Sequence, residues 1–108
     1  MQDFDEYQTQ AARTAVYPRR SGLQSVMYCA LGLNGEAGEV ADVIKKSFRR
    51  GDSSLTVRDR AAVAAELGDV LWYVAAVASS VGISLGSIAE GNLHKLKARQ
   101  EQGALKDR

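Results

Sequence analysis

Ala61-Ala62-Val63-Ala64-Ala65-Glu66-Leu67-Gly68-Asp69-Val70-Leu71-Trp72-Tyr73-Val74-Ala75-Ala76-Val77 carries apolar side chains around nearly the whole circumference of a helix. It has no period-two alternation, so it reads as a helix and not as a strand. Its apolar surroundings, Ala61 to Ile83, are about as long as a membrane span. Glu66 and Asp69 weigh against that reading, because each would cost roughly 2–3 kcal/mol at a bilayer centre. A helix that is apolar all round has to be covered all round. One small chain can hardly wrap it, so the expectation is a homodimer or homotetramer with this helix central.

Outward from that segment, punctuation marks off three further helices. The apolar helix is expected over about Val57–Val81, with Gly82 ending it. Gly51-Asp52-Ser53-Ser54 before it is a loop. Upstream, Ser21 can cap a long helix to about Arg49, with Leu23, Val26, Met27, Ala30, Leu33, Ala37, Val40, Val43 and Ile44 as its apolar stripe. Lys45, Lys46, Arg49 and Arg50 fall in its last turns, where they complement the helix dipole. A short first helix is expected over Asp3 to about Val16, ending before Tyr17-Pro18. Ser84 or Ser87 can cap a fourth, Ile88 to about Gln100, and Gly103–Arg108 reads as a fraying end. The expected fold is all-α and a single domain over residues 1–108. It is a four-helix bundle-like protomer: short N-terminal helix, two long antiparallel helices, C-terminal helix.

Charge narrows the function classes. Fourteen Lys+Arg face 13 Asp+Glu, a net charge of +1, so no global basic field points to a nucleic-acid binder. The lone Cys29 excludes an internal disulfide and reads as a small buried hydrophobe. The acidic start Met1-Gln2-Asp3-Phe4-Asp5-Glu6 lacks a signal-peptide core, which makes the cytoplasm the expected compartment and a membrane partner unexpected.

Chemistry concentrates in two acidic pairs, Glu36-x-x-Glu39 and Glu66-x-x-Asp69. Spacing of i, i+3 puts both members of a pair on one helical face. The midpoint of Glu39 and Glu66 is the Asp52–Ser53 peptide, and Glu36 and Asp69 share it. In an antiparallel hairpin, all four carboxylates therefore lie at a similar height, roughly 20–25 Å from the turn. Four acids in one groove repel each other unless a hard cation neutralises them, and Mg²⁺ or Mn²⁺ suits oxygen ligands. A Glu-x-x-His pair of the di-iron type is missing, since His94 is not three residues after any of these acids. Gly32, Gly35 and Gly38 on one helix and Gly68 on the other suggest close backbone approach or room for a ligand.

Gly32-Leu33-Asn34-Gly35-Glu36-Ala37-Gly38-Glu39-Val40-Ala41-Asp42, Glu66-Leu67-Gly68-Asp69-Val70-Leu71-Trp72-Tyr73 and Asn92-x-x-Lys95-x-x-x-Arg99 resemble the MazG-like branch of the all-α nucleoside triphosphate pyrophosphohydrolases. Tyr7-Gln8 and Thr14-Ala15-Val16-Tyr17-Pro18 extend the likeness over nearly the whole chain. The family pattern usually opens Glu-Glu-x-x-Glu. Here Gly35 takes the first position, as in dCTP-pyrophosphatase-like relatives, which leaves four acids for the metal. The resemblance implies Mg²⁺-dependent cleavage of a (deoxy)nucleoside triphosphate between its α- and β-phosphates, giving monophosphate and pyrophosphate.

Roles follow from that expectation. Glu39 is the candidate for orienting or deprotonating the attacking water. Lys46, two turns beyond Glu39, is either a phosphate ligand or a helix-dipole lysine. Tyr73, a turn beyond Asp69, is either a phosphate donor or a core aromatic. Asn92, Lys95 and Arg99 share a face of the last helix as a candidate phosphate clamp, from the same chain or a partner. Gln8, Arg13 and Tyr17 are candidates for the nucleobase pocket. Two other readings compete: a phosphoribosyl-ATP pyrophosphohydrolase, and a non-catalytic helical oligomerisation or adaptor module indifferent to metal. A nucleic-acid-binding bundle rests only on Lys45, Lys46, Arg49 and Arg50.

Overall fold

The computed structural model describes residues 3–17 and 22–103. Four helices follow one another: α1 Phe4–Ala12, α2 Gly22–Arg49, α3 Val57–Ser80 and α4 Leu85–Glu101. No strand occurs among the described residues. The long helices fall almost where the sequence puts them. Thr56 caps α3 by accepting from the Asp59 amide at 3.0 Å. Gly51 and Gly82 take the left-handed conformation that ends α2 and α3, at φ 78° and 74°. The expected cap Ser21 and its neighbour Pro18 lie outside the described residues, as do positions 104–108 of the expected frayed end.

The short helices differ in their ends. Helix α1 stops at Ala12 instead of Val16, because the chain spends its next residues on contacts. The Arg13 and Thr14 amides turn back to Gln10 O and Ala11 O, and the Thr14 hydroxyl accepts from Trp72 Nε1 at 2.8 Å. Helix α4 starts three residues early, since Ser84 and not Ser87 is its cap. Its first free amides are all satisfied. Leu85 N donates to Gln8 Oε1 at 2.7 Å, Gly86 N to Asp5 Oδ1 at 2.8 Å, and Ser87 N to Ser84 Oγ at 3.1 Å. A side chain at Gly86 would meet the Asp5 carboxylate at 2.9 Å, so the glycine makes this grip of α1 on α4 possible.

Helix α3 is the hub. It touches α1, α2 and α4, whereas α2 touches no helix but α3. Ala11, Ala75 and Leu85 form a small core at one end, with Tyr7, Trp72 and Val74 against it. Cys29 is fully buried in the α2–α3 seam, as expected of a small hydrophobe. The seam keeps the expected register: the Tyr73 ring lies over Gly32, and these two residues share the midpoint of Glu36 and Asp69. A methyl group at position 32 would overlap that ring, so this glycine serves close approach. At the turn, Arg50 pairs with Asp59 and Asp52, and the buried Ser47 hydroxyl donates to Asp52 Oδ2 at 3.2 Å. The protomer leaves α3 partly bare, with Ala61, Ala64, Ala65, Leu67 and Gly68 exposed. By length and composition α3 could cross a bilayer, yet Glu66 sits half-buried midway along it.

Candidate metal centre and nucleotide pocket

Glu36 lies on the face of α2 that also carries the buried Cys29 and Ser47, so its carboxylate is directed at α3. Glu66 and Asp69 meet it from the other side. One carboxylate oxygen from each of the three falls within 4.8 Å of the other two. Glu36 and Glu66 are half-buried, and Asp69 is exposed at the mouth. Glu39, the fourth expected acid, stands one turn along α2 and is exposed; it lies outside the trio but within electrostatic reach of Glu36. Lost hydration, then the charges of Asp69, Glu66 and Glu39, push the Glu36 carboxyl above its ordinary pKa. Among the described residues none of the four acids has a salt-bridge partner. Hard oxygen donors so close together fit a divalent cation bonded at about 2.0–2.6 Å.

Two phenols flank the acids. Tyr73 crosses Gly32 and contacts Tyr28 through its hydroxyl; burial first, then Tyr28 and Glu36, raise its pKa. Tyr7 of α1 is raised by burial and then by the charge of Asp69. Tyr7 was legible only as part of the Tyr7-Gln8 element of the family likeness and Tyr28 was not singled out, because nothing in their spacing marks them as neighbours of the site.

The other candidates divide. Lys46 Nζ bonds Asp42 Oδ2 at 3.0 Å, lowering the Asp42 pKa, and lines a shallow basic groove with Arg49 and Arg50. Asn92, Lys95 and Arg99 are exposed on α4, which makes no contact with α2, so this protomer does not bring them to Glu36 or Glu39. Gln8 and Tyr17 line a cavity of about 160 Å³ between α1, α3 and the start of α2, together with Ser25, Trp72, Ala76 and Ser79. Arg13 does not line it. The Gln8 amide is committed to the fold, donating to Ser79 Oγ at 3.1 Å and to Ile83 O at 3.0 Å while accepting from Leu85. Aromatic rings separate cavity from acids: Tyr17 stacks on Tyr28 at 4.9 Å, and Trp72 meets Tyr73 edge-on at 4.9 Å. Along α3 the cavity residue Ala76 is two turns, roughly 10 Å, from Asp69.

The profile of the MazG nucleotide pyrophosphohydrolase domain matches residues 24–104, three-quarters of the chain and all four acids. The chain belongs to the MazG family. The Gene 37 protein of Mycobacterium phage L5 is 40% identical to this MazG chain over 104 residues, 94% of this chain and 91% of that protein. No solved structure matches it. As a MazG domain, the chain carries a nucleotide pyrophosphohydrolase scaffold with a carboxylate cluster in its central helix pair.

Proposed function

We propose that the chain hydrolyses (deoxy)nucleoside triphosphates between the α- and β-phosphates with the help of Mg²⁺ or Mn²⁺. The observation that carries this reading is the trio Glu36, Glu66 and Asp69, whose oxygens converge within 4.8 Å, with no salt-bridge partner for any of them among the described residues. These three would hold the ion, which when bound supplies positive charge to the substrate phosphates and acidity to water. Glu39, exposed one turn away, accepts the proton of the attacking water. The water oxygen bonds to phosphorus, the bridging P–O bond of the α–β anhydride breaks, and pyrophosphate departs from the monophosphate. The cavity beside Tyr17 and Trp72 takes the nucleobase, two turns of α3 from the acids. Its aromatic faces stack, and its serine hydroxyls meet polar edges.

The test is a panel of ribo- and deoxynucleoside triphosphates incubated with Mg²⁺ or with EDTA, alongside Glu39→Gln. Metal-dependent monophosphate and pyrophosphate, lost in the variant, are expected. A folded protein that turns over no triphosphate in either metal ends the proposal.

A further inference from the structure

Trp72 is the sole tryptophan of the chain and forms part of the cavity wall. The rings of Tyr17 and Tyr73 stand nearly perpendicular to it, with centres 6.3 and 4.9 Å away. An aromatic ring turns about its last side-chain torsion between two broad wells, and apolar contact discriminates weakly between them. A hydrogen bond does discriminate, because the indole carries a single N–H on one edge. That N–H donates to the Thr14 hydroxyl at 2.8 Å.

Thr14 is arranged to receive it. Its own hydroxyl proton is committed to Ala11 O at 2.7 Å, which leaves a lone pair for the indole. The Thr14 amide returns to the same carbonyl at 3.0 Å, fixing the turn that ends α1. Ala11 belongs to the small core with Ala75 and Leu85. The threonine therefore refers the tilt of the indole to the core, across 58 positions of sequence.

Thr14 is exposed and does not line the cavity, so it reaches a bound molecule only through Trp72. With its N–H committed, the indole cannot read the edge of a base and offers only its face for stacking. From this hydrogen bond and the place of its donor in the cavity wall, we infer that Thr14 is a positioning residue for substrate binding. It locks the Trp72 ring in the orientation that stacks on the nucleobase. The inference rests on the proposed seat of the base in this cavity. A ring set beforehand removes an ordering cost from binding. Stacking on the base is remote from the P–O bond that breaks, so it acts alike on bound substrate and transition state.

Thr14→Val, Thr14→Ala and Thr14→Ser test this, with every triphosphate that the wild type turns over in Mg²⁺. Water reaches the exposed position once the hydroxyl is gone, so all three variants keep the wild-type far-ultraviolet circular dichroism. Thr14→Val and Thr14→Ala raise KM roughly threefold to tenfold and leave kcat within about twofold. Both also weaken the tryptophan band of the near-ultraviolet circular dichroism, read without metal or nucleotide. Thr14→Ser keeps the acceptor and retains wild-type KM and band. Wild-type turnover with KM unchanged in Thr14→Val and Thr14→Ala overturns this inference alone, as does a loss confined to kcat or a Thr14→Ser that fails to rescue. A wild type that turns over no triphosphate ends the proposed function and takes this inference with it.

Discussion

The α2–α3 pair holds two polar clusters built from the same kinds of residue and used in opposite ways. At the turn, Asp52 and Asp59 share the guanidinium of Arg50, Ser47 is buried beside them, and Thr56 caps the helix that carries Asp59. Its two acids share a cation and the cluster closes a loop. Midway along the pair, Glu36, Glu66 and Asp69 converge with Glu39 nearby, and among the described residues no salt bridge answers them. Folding alone gains nothing from that second arrangement, because repulsion and lost hydration both act against it. The contrast separates a stabilising cluster from one kept for a ligand.

Four measurements sharpen or break this contrast. Glu36→Gln should lower triphosphate turnover by about a hundredfold or more, while Asp59→Asn leaves turnover near wild type; equal losses in both would erase the distinction. Saturating Mg²⁺ should stabilise the wild type, by about 2.7 kcal/mol at a hundredfold excess over Kd, and leave Glu66→Gln unmoved in denaturant melts. Asp59→Asn should cost about 1 kcal/mol, since it weakens a pair whose carboxylate is buried but whose Arg50 side chain is half exposed to screening water, and its urea midpoint should fall with or without metal. The smallest effect is in pH. Below the ordinary carboxylate range Glu36 is protonated whether folded or not, so it contributes no penalty. As pH rises through its elevated folded pKa the penalty becomes complete. The melting temperature of metal-free Glu36→Gln should therefore rise relative to wild type as pH increases, then level off. A constant difference would mean that Glu36 feels no repulsion.

Sequence pattern carried the hairpin well and the surroundings poorly. Loop residues and reflected spacing gave α2, α3 and their register, which the Gly32–Tyr73 contact bears out. The same reflection gives height along the helices but not direction around them. It could therefore bring Glu39 level with the others without showing that Glu39 turns outward. Gln8 was read only as a pocket residue; that it also ties α1 to α3 and α4 was hidden, because its partners, Ser79, Ile83 and Leu85, lie more than seventy positions away. The course of α4 was equally hidden. Capping residues announce where a helix begins, but its crossing angle depends on what it packs against, and α4 is held mainly at its first turn. Tyr7 shows the same limit: the sequence offered it only within the Tyr7-Gln8 likeness, and only the assembled fold brings it to Asp69.

Cys29 turns the hairpin into its own clock. It is the chain's sole thiol, it is fully buried, and it lies beside Tyr73 on the route from cavity to acids. An alkylating reagent reaches it only when α2 and α3 part. The labelling rate of the unmodified protein thus counts separations of the two helices, and any nucleotide or ion that clasps them slows the count.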